Sequence, residues 1–130
     1  MIFADTGGIY ALLHRNDPAH AATSKFVATA NETFVLTELV EAEALTLVRR
    51  RTDHATAVRL GEALRTSTLF TVLEPSAHDR ARAWDIFKGH ADKRWSFTDC
   101  HSFAVMERLG IETALTTDGD FRQRGLRVVP

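Results

Sequence analysis

Short apolar runs alternate along this chain with longer stretches in which apolar residues recur every three or four positions. Met1 to Ala4, Phe34 to Leu36, Leu69 to Leu73, Thr113 to Thr116 and Leu126 to Val129 read as strands. Helical periodicity covers Gly8 to His14, Pro18 to Ala30, Glu38 to Arg51, Asp53 to Thr66, Ser76 to Lys88 and Asp99 to Leu109. Start signals accompany several of these: Asp17 before Pro18, Thr37 before Glu38, Ser76 after Pro75, and Thr98 before Asp99. Gly110 reads as a stop. Apolar strands alternating with helices predict an α/β fold, a three-layer α/β/α sandwich around a central, mostly parallel sheet. The polar stretch from Gly89 to Arg94 reads as the most mobile loop.

Composition narrows this picture. A length of 130 residues with 45% hydrophobic content fits one domain, residues 1–130, with a real core. One cysteine, Cys100, excludes an internal disulfide framework and a cysteine-built zinc site, and suits a reducing compartment. Only three apolar residues separate Met1 from Asp5, and no apolar run approaches a membrane span, so a cytoplasmic protein without membrane contact is expected. Sixteen Lys and Arg against seventeen Asp and Glu give a net charge of −1, which advertises no global field for nucleic acid. Arg49, Arg50, Arg51, Lys93, Arg94, Arg122, Arg124 and Arg127 could still form a local phosphate-binding rim; solvated surface is the competing reading of each.

The candidate chemistry lies in acidic residues placed where strands end or helices begin. Asp5 follows the first strand and precedes Thr6-Gly7-Gly8, with helix capping as its alternative role. Glu43 shares a helical face with Leu36, Leu39, Val40 and Leu47, within about 60°, which predicts a carboxylate turned toward the core and in need of a cation or an arginine partner. Asp99 shares a face with Phe103 and Met106, opposite His101 and Arg108, and its alternative is a simple helix-dipole role. Asp118 and Asp120 follow the strand ending at Thr116. Asx turns would explain either, and Asp118 is the stronger ligand candidate. Carboxylates gathered at the carboxyl ends of parallel strands suit a hard cation such as Mg²⁺.

Other chemistries find little support. Two adjacent glycines do not make a phosphate loop, and no EF-hand spacing surrounds Asp118. His14, His20, His54, His78, His90 and His101 show no metal-ligand spacing, most of them falling on polar faces or helix ends. Cys100 lies about 100° from the inward face of its helix and is a poor nucleophile. Trp84, Trp95 and Phe97 read as packing residues rather than as platforms for bases.

Taken in order, Ile-Phe-Ala-Asp5-Thr, Thr-Glu-Leu-Val-Glu-Ala-Glu43, Trp-Ser-Phe-Thr-Asp99-Cys and Ala-Leu-Thr-Thr-Asp118-Gly-Asp-Phe closely resemble the motifs of the PIN-domain family, in particular its VapC-type toxins from prokaryotic toxin–antitoxin pairs. The resemblance covers essentially the whole chain. It implies catalytic Asp5, Glu43, Asp99 and Asp118, with Asp5, Asp99 and Asp118 as metal ligands and Thr6, Thr116 and Asp120 in support. It implies a Mg²⁺- or Mn²⁺-dependent endoribonuclease acting on RNA such as tRNA or rRNA. A small cognate antitoxin and a homodimer are implied partners. Gly7 and Gly8 depart from the serine or alanine often found there. A PIN nuclease of RNA processing without a toxin role, and an inactive PIN-fold binding module, are the alternatives.

Overall fold

The computed structural model describes residues 1–130. Its elements run β1 (Ile2–Ala4), α1 (Thr6–Leu13), α2 (His20–Thr29), β2 (Phe34–Thr37), α3 (Glu38–Arg51), α4 (His54–Thr66), β3 (Phe70–Leu73), α5 (Ala77–Gly89), α6 (Phe97–Leu109), β4 (Thr113–Leu115), α7 (Asp120–Gln123) and β5 (Arg127–Val129). All five strands are parallel, in the order β3-β2-β1-β4-β5. Winding proceeds outward from β1 to β3, then returns past β1 to β4. Right-handed crossovers therefore put α1 to α4 on one face and α5 to α7 on the other, which is the expected three-layer α/β sandwich.

Every strand expected from the sequence is present, with ends shifted by a residue or so; α7, only four residues long, was not expected. The central strands β1, β2 and β4 are buried throughout, as their continuous apolar runs require. On one face Phe3, Phe103 and Phe121 meet, with ring centroids 6.4 Å apart for Phe3 and Phe121 and 5.1 Å for Phe103 and Phe121. These rings seat α6 and α7 against the sheet beside the ends of β1 and β4.

Local signals explain most boundaries and correct some. Thr37 caps α3 through Val40 N–H, and Gly110 ends α6 with φ of 67°, where a side chain would be strained. Asp53 is the cap of α4 rather than its first residue. Asp17 accepts from Ala19 N–H in a turn, so α2 starts at His20, later than the Asp17-Pro18 pair suggests. The cap of α6 is Ser96, not Thr98. Ser96 Oγ accepts from Asp99 N–H, and Asp99 Oδ2 accepts from Ser96 N–H, a reciprocal box that starts the helix two residues earlier.

Two contacts fix the helices that carry the acids. Gly8 of α1 lies against the Leu115 carbonyl of β4, with no room for a Cβ. Asp79, fully buried in α5, accepts two bonds from Arg108 of α6, at 2.7 and 2.9 Å, and this pairing holds its carboxyl down at about 2. Gly8→Ala should accordingly destabilise the fold by about 1–3 kcal/mol, because backbone must move. Gly7→Ala meets chiefly the Thr117 side chain, which can rotate, and should cost less in urea denaturation. Equal midpoints for the two variants would contradict this account of the α1–β4 contact.

Candidate active site

Winding from β1 toward β2 and from β4 toward β5 leaves a crevice at the carboxyl ends of β1 and β4. Asp5 stands at the end of β1, Asp118 three residues past β4, and Asp99 in the first turn of α6. One carboxylate oxygen from each lies within 4.8 Å of the other two. None of the chain's ion pairs involves any of them. Three carboxylates this close without a neutralising side chain form an oxygen-donor set suited to a hard divalent cation, so the residues present fit that group.

Each carboxylate is held by a different local device. Asp5 is only 5% exposed; it occupies the N-cap position of α1, but its side chain makes no capping bond, so capping does not account for its carboxylate. Instead Thr116 Oγ donates to Asp5 Oδ2 at 3.0 Å. The same hydroxyl accepts from Asp118 N–H at 3.0 Å, so its polarity is fixed by the loop that carries Asp118. Asp118 Oδ1 accepts from Asp120 N–H at 2.9 Å in the expected Asx turn. Asp99 is anchored by Ser96, whose serine-x-x-aspartate spacing to Asp99 was a readable signal of a supporting residue.

Electrostatics follow from this crowding. Burial first, then the Asp99 charge, pushes the Asp5 carboxyl up to about 7. Burial likewise lifts Asp99 to about 6, aided by Asp118 and opposed by the Ser96 hydrogen bond. Asp120 is raised as well, by burial and then Asp118, but it stands outside the cluster, at the start of α7. The amino ends of α1 and α6, which begin at or beside Asp5 and Asp99, favour negative charge here and reduce the repulsion.

Glu43 requires a correction. It does not face the core. The stripe that α3 buries is Val40, Ala44 and Val48, centred about 100° around the helix from Glu43. Leu39 and Leu47 flank Glu43 but are themselves only partly buried, so the apolar face inferred from them borders solvent. Glu43 is exposed, accepts a bond from Thr6 Oγ at 2.9 Å, and lines an open groove with Thr6 and Thr98 beside the acidic cluster. Thr6 thus supports Glu43 as Thr116 supports Asp5.

The remaining candidates take structural places. Cys100 is buried and its thiol is pushed up to about 11 by burial and then the Asp99 charge, which suits no nucleophile. His101, expected on a polar face, is buried, with Nδ1 at 2.8 Å from the Phe97 carbonyl. Trp95 is packed on Phe103 as expected, whereas Trp84 and Phe97 are half exposed and cluster with Phe87 at centroid distances of 5.5 to 6.0 Å.

A PIN domain family model matches residues 2–125. The 23S rRNA-specific endonuclease VapC20 of Mycobacterium tuberculosis is 35% identical over 125 residues, which covers 96% of this chain and 95% of the relative. The crystal structure of Mycobacterium tuberculosis VapC20, described as a sarcin-ricin loop cleaving toxin, matches over the full length of both chains with a TM-score of 0.93 and 34% identity. FitAcB from Neisseria gonorrhoeae, at 20% identity over 100% of this chain and 97% of that one, shares the fold with a TM-score of 0.76.

Because the fold raises the Asp5 pKa, that residue contributes stability below its unfolded value of 3.8, and the contribution is lost as pH rises through about 7. In EDTA, Asp5→Asn should therefore stabilise the protein at pH 8 by on the order of 4 kcal/mol and change it little near pH 4. Urea denaturation at the two pH values checks this, and a gain that is equal at both would show that charge is not its source.

Proposed function

The chain belongs to the PIN domain family, and from this we infer that it is an endoribonuclease of the VapC toxin type, hydrolysing RNA phosphodiester bonds with a divalent cation held by Asp5, Asp99 and Asp118. The observation that carries the reading is the meeting of these three unneutralised carboxylates within 4.8 Å at the ends of β1 and β4. Retention of the cluster argues against an inactive binding module.

A bound Mg²⁺ or Mn²⁺ supplies Lewis acidity, which activates water and offsets charge on the reacting phosphate. The chain's own residues set the geometry. Asp5, fixed by Thr116, and Asp99, fixed by Ser96, offer ligand oxygens that need little reordering. Asp118 closes the set from the loop after β4. Glu43, tethered by Thr6 and open to the groove, can take a proton from the attacking water. Water attack forms a new O–P bond and breaks the bond from phosphorus to the 3′ oxygen, which leaves with the electron pair and takes a proton from solvent water, giving 5′-phosphate and 3′-hydroxyl ends.

Ribosomal RNA is the first substrate to test, since VapC20 is a 23S rRNA-specific endonuclease. The same reading includes a small cognate antitoxin that covers the crevice, and a homodimer. No helix is long and apolar enough to cross a membrane, and the proposed site of action is the cytoplasm.

With Mg²⁺ or Mn²⁺ the purified protein should cut 23S rRNA into discrete fragments, and EDTA should abolish cutting. Asp5→Asn and Asp99→Asn should each lower the rate about a thousandfold, roughly 4 kcal/mol in the barrier. Glu43→Gln should cost about a hundredfold. End-labelled RNA on sequencing gels reads all of these. Undiminished cleavage by a folded Asp99→Asn protein would falsify the assignment.

A further inference from the structure

The groove beside the acidic cluster has a volume of about 520 Å³, within the range of clefts that hold small ligands. Thr6 and Thr98, the chain neighbours of Asp5 and Asp99, line it where it meets the cluster, and Glu43, Thr46 and Leu47 line it along α3. Arg50 lines it two helical turns beyond Glu43. Seven residues on a helix return to nearly the same face, so Arg50 lies about 10 Å past Glu43 along the axis.

Arg50 is one of three consecutive arginines at the end of α3, and all three suit the helix dipole equally. Their side chains go to three places. Arg49 lines a separate cleft between α3 and α4, and the Arg51 guanidinium sits 5.1 Å from the centroid of the Tyr10 ring. Arg50 alone of the three lines the groove, and it enters no ion pair. The groove thus has the Glu43 carboxylate toward the cluster end, an unpaired guanidinium at the other, threonine side chains along its wall and the apolar surface of Leu47 between.

That distribution matches a nucleotide rather than an apolar or purely anionic ligand. A guanidinium binds phosphate in a two-pronged geometry, the Thr46 and Thr98 hydroxyls can bond sugar or phosphate oxygens, Thr6, whose proton goes to Glu43, can accept from a sugar hydroxyl, and the leucine takes an apolar sugar face. The scissile phosphate would sit at the cluster end, where a cation offsets the carboxylates, so the seat for a flanking phosphate falls at Arg50, the one cation lining the groove. We propose that this groove is the subsite for the nucleotide adjoining the scissile bond, with Arg50 binding its flanking phosphate and so setting the register of the strand. The proposal rests on the RNA-cleaving reading above and goes beyond it by assigning strand positioning to α3.

The test uses a fluorescein-labelled stem–loop RNA of the 23S rRNA sarcin–ricin sequence, bound by Asp5→Asn protein so that it stays intact. Adding Arg50→Ala should weaken binding about tenfold and flatten the slope of log K against log salt by about 0.7, one phosphate's share on a single strand. Arg49→Ala, on the same helix end, should change neither. In cleavage, Arg50→Ala should raise KM about tenfold and leave kcat within about twofold, with Arg50→Lys in between. A neutral methylphosphonate next to the scissile position should weaken binding to Asp5→Asn protein and have no further effect once Arg50 is Ala. Cleavage by the wild type with KM and salt slope unmoved by Arg50→Ala overturns the subsite alone. A wild type that neither binds nor cuts the RNA overturns the nuclease reading and the subsite with it.

Discussion

Three carboxylates are held within 4.8 Å of one another with no cationic side chain among them, and much of the architecture around them follows from that arrangement. Like charges at this spacing repel by several kcal/mol where water is partly excluded. The fold tolerates them because each is gripped from behind: Asp5 by the Thr116 hydroxyl, Asp118 by the same hydroxyl acting on its backbone, Asp99 by the Ser96 box. The amino ends of α1 and α6 add positive potential. Burial first, and the remaining repulsion after it, raise the pKa values of Asp5 and Asp99, and a divalent cation would offset both.

The sheet brings these groups together. Reversal of winding at β1 and β4 opens a crevice with no need for a long loop, and parallel strands deliver Asp5 and Asp118 to the same edge. Close approach of α1 to β4 needs Gly8, where a side chain would collide with the Leu115 carbonyl. The Asp79–Arg108 pair ties α5 to α6 and so fixes the helix that presents Asp99. Structure far from the acidic cluster is thereby coupled to the geometry of its carboxylates.

The convergence of Asp5, Asp99 and Asp118 is legible in the sequence because strand ends and helix starts are local signals. Glu43 was placed on the right helix but the wrong face. Leu39 and Leu47 suggested a core there, whereas the sheet is met by the smaller Val40, Ala44 and Val48, and which leucines become buried is a tertiary matter. Thr98 before Asp99 suggests a cap, but the reciprocal box between Ser96 and Asp99 starts α6 earlier and makes Thr98 a helical residue. Arg50 could not be distinguished from Arg49 and Arg51 by sequence, since the direction of an arginine depends on what neighbouring elements leave open.

The most direct measurement is anomalous diffraction from crystals of the protein soaked in Mn²⁺. A manganese peak ligated by Asp5, Asp99 and Asp118, with Glu43 outside direct ligand distance, is the result this account predicts. A protein that binds manganese elsewhere, or leaves these carboxylates unliganded at millimolar Mn²⁺, would contradict it.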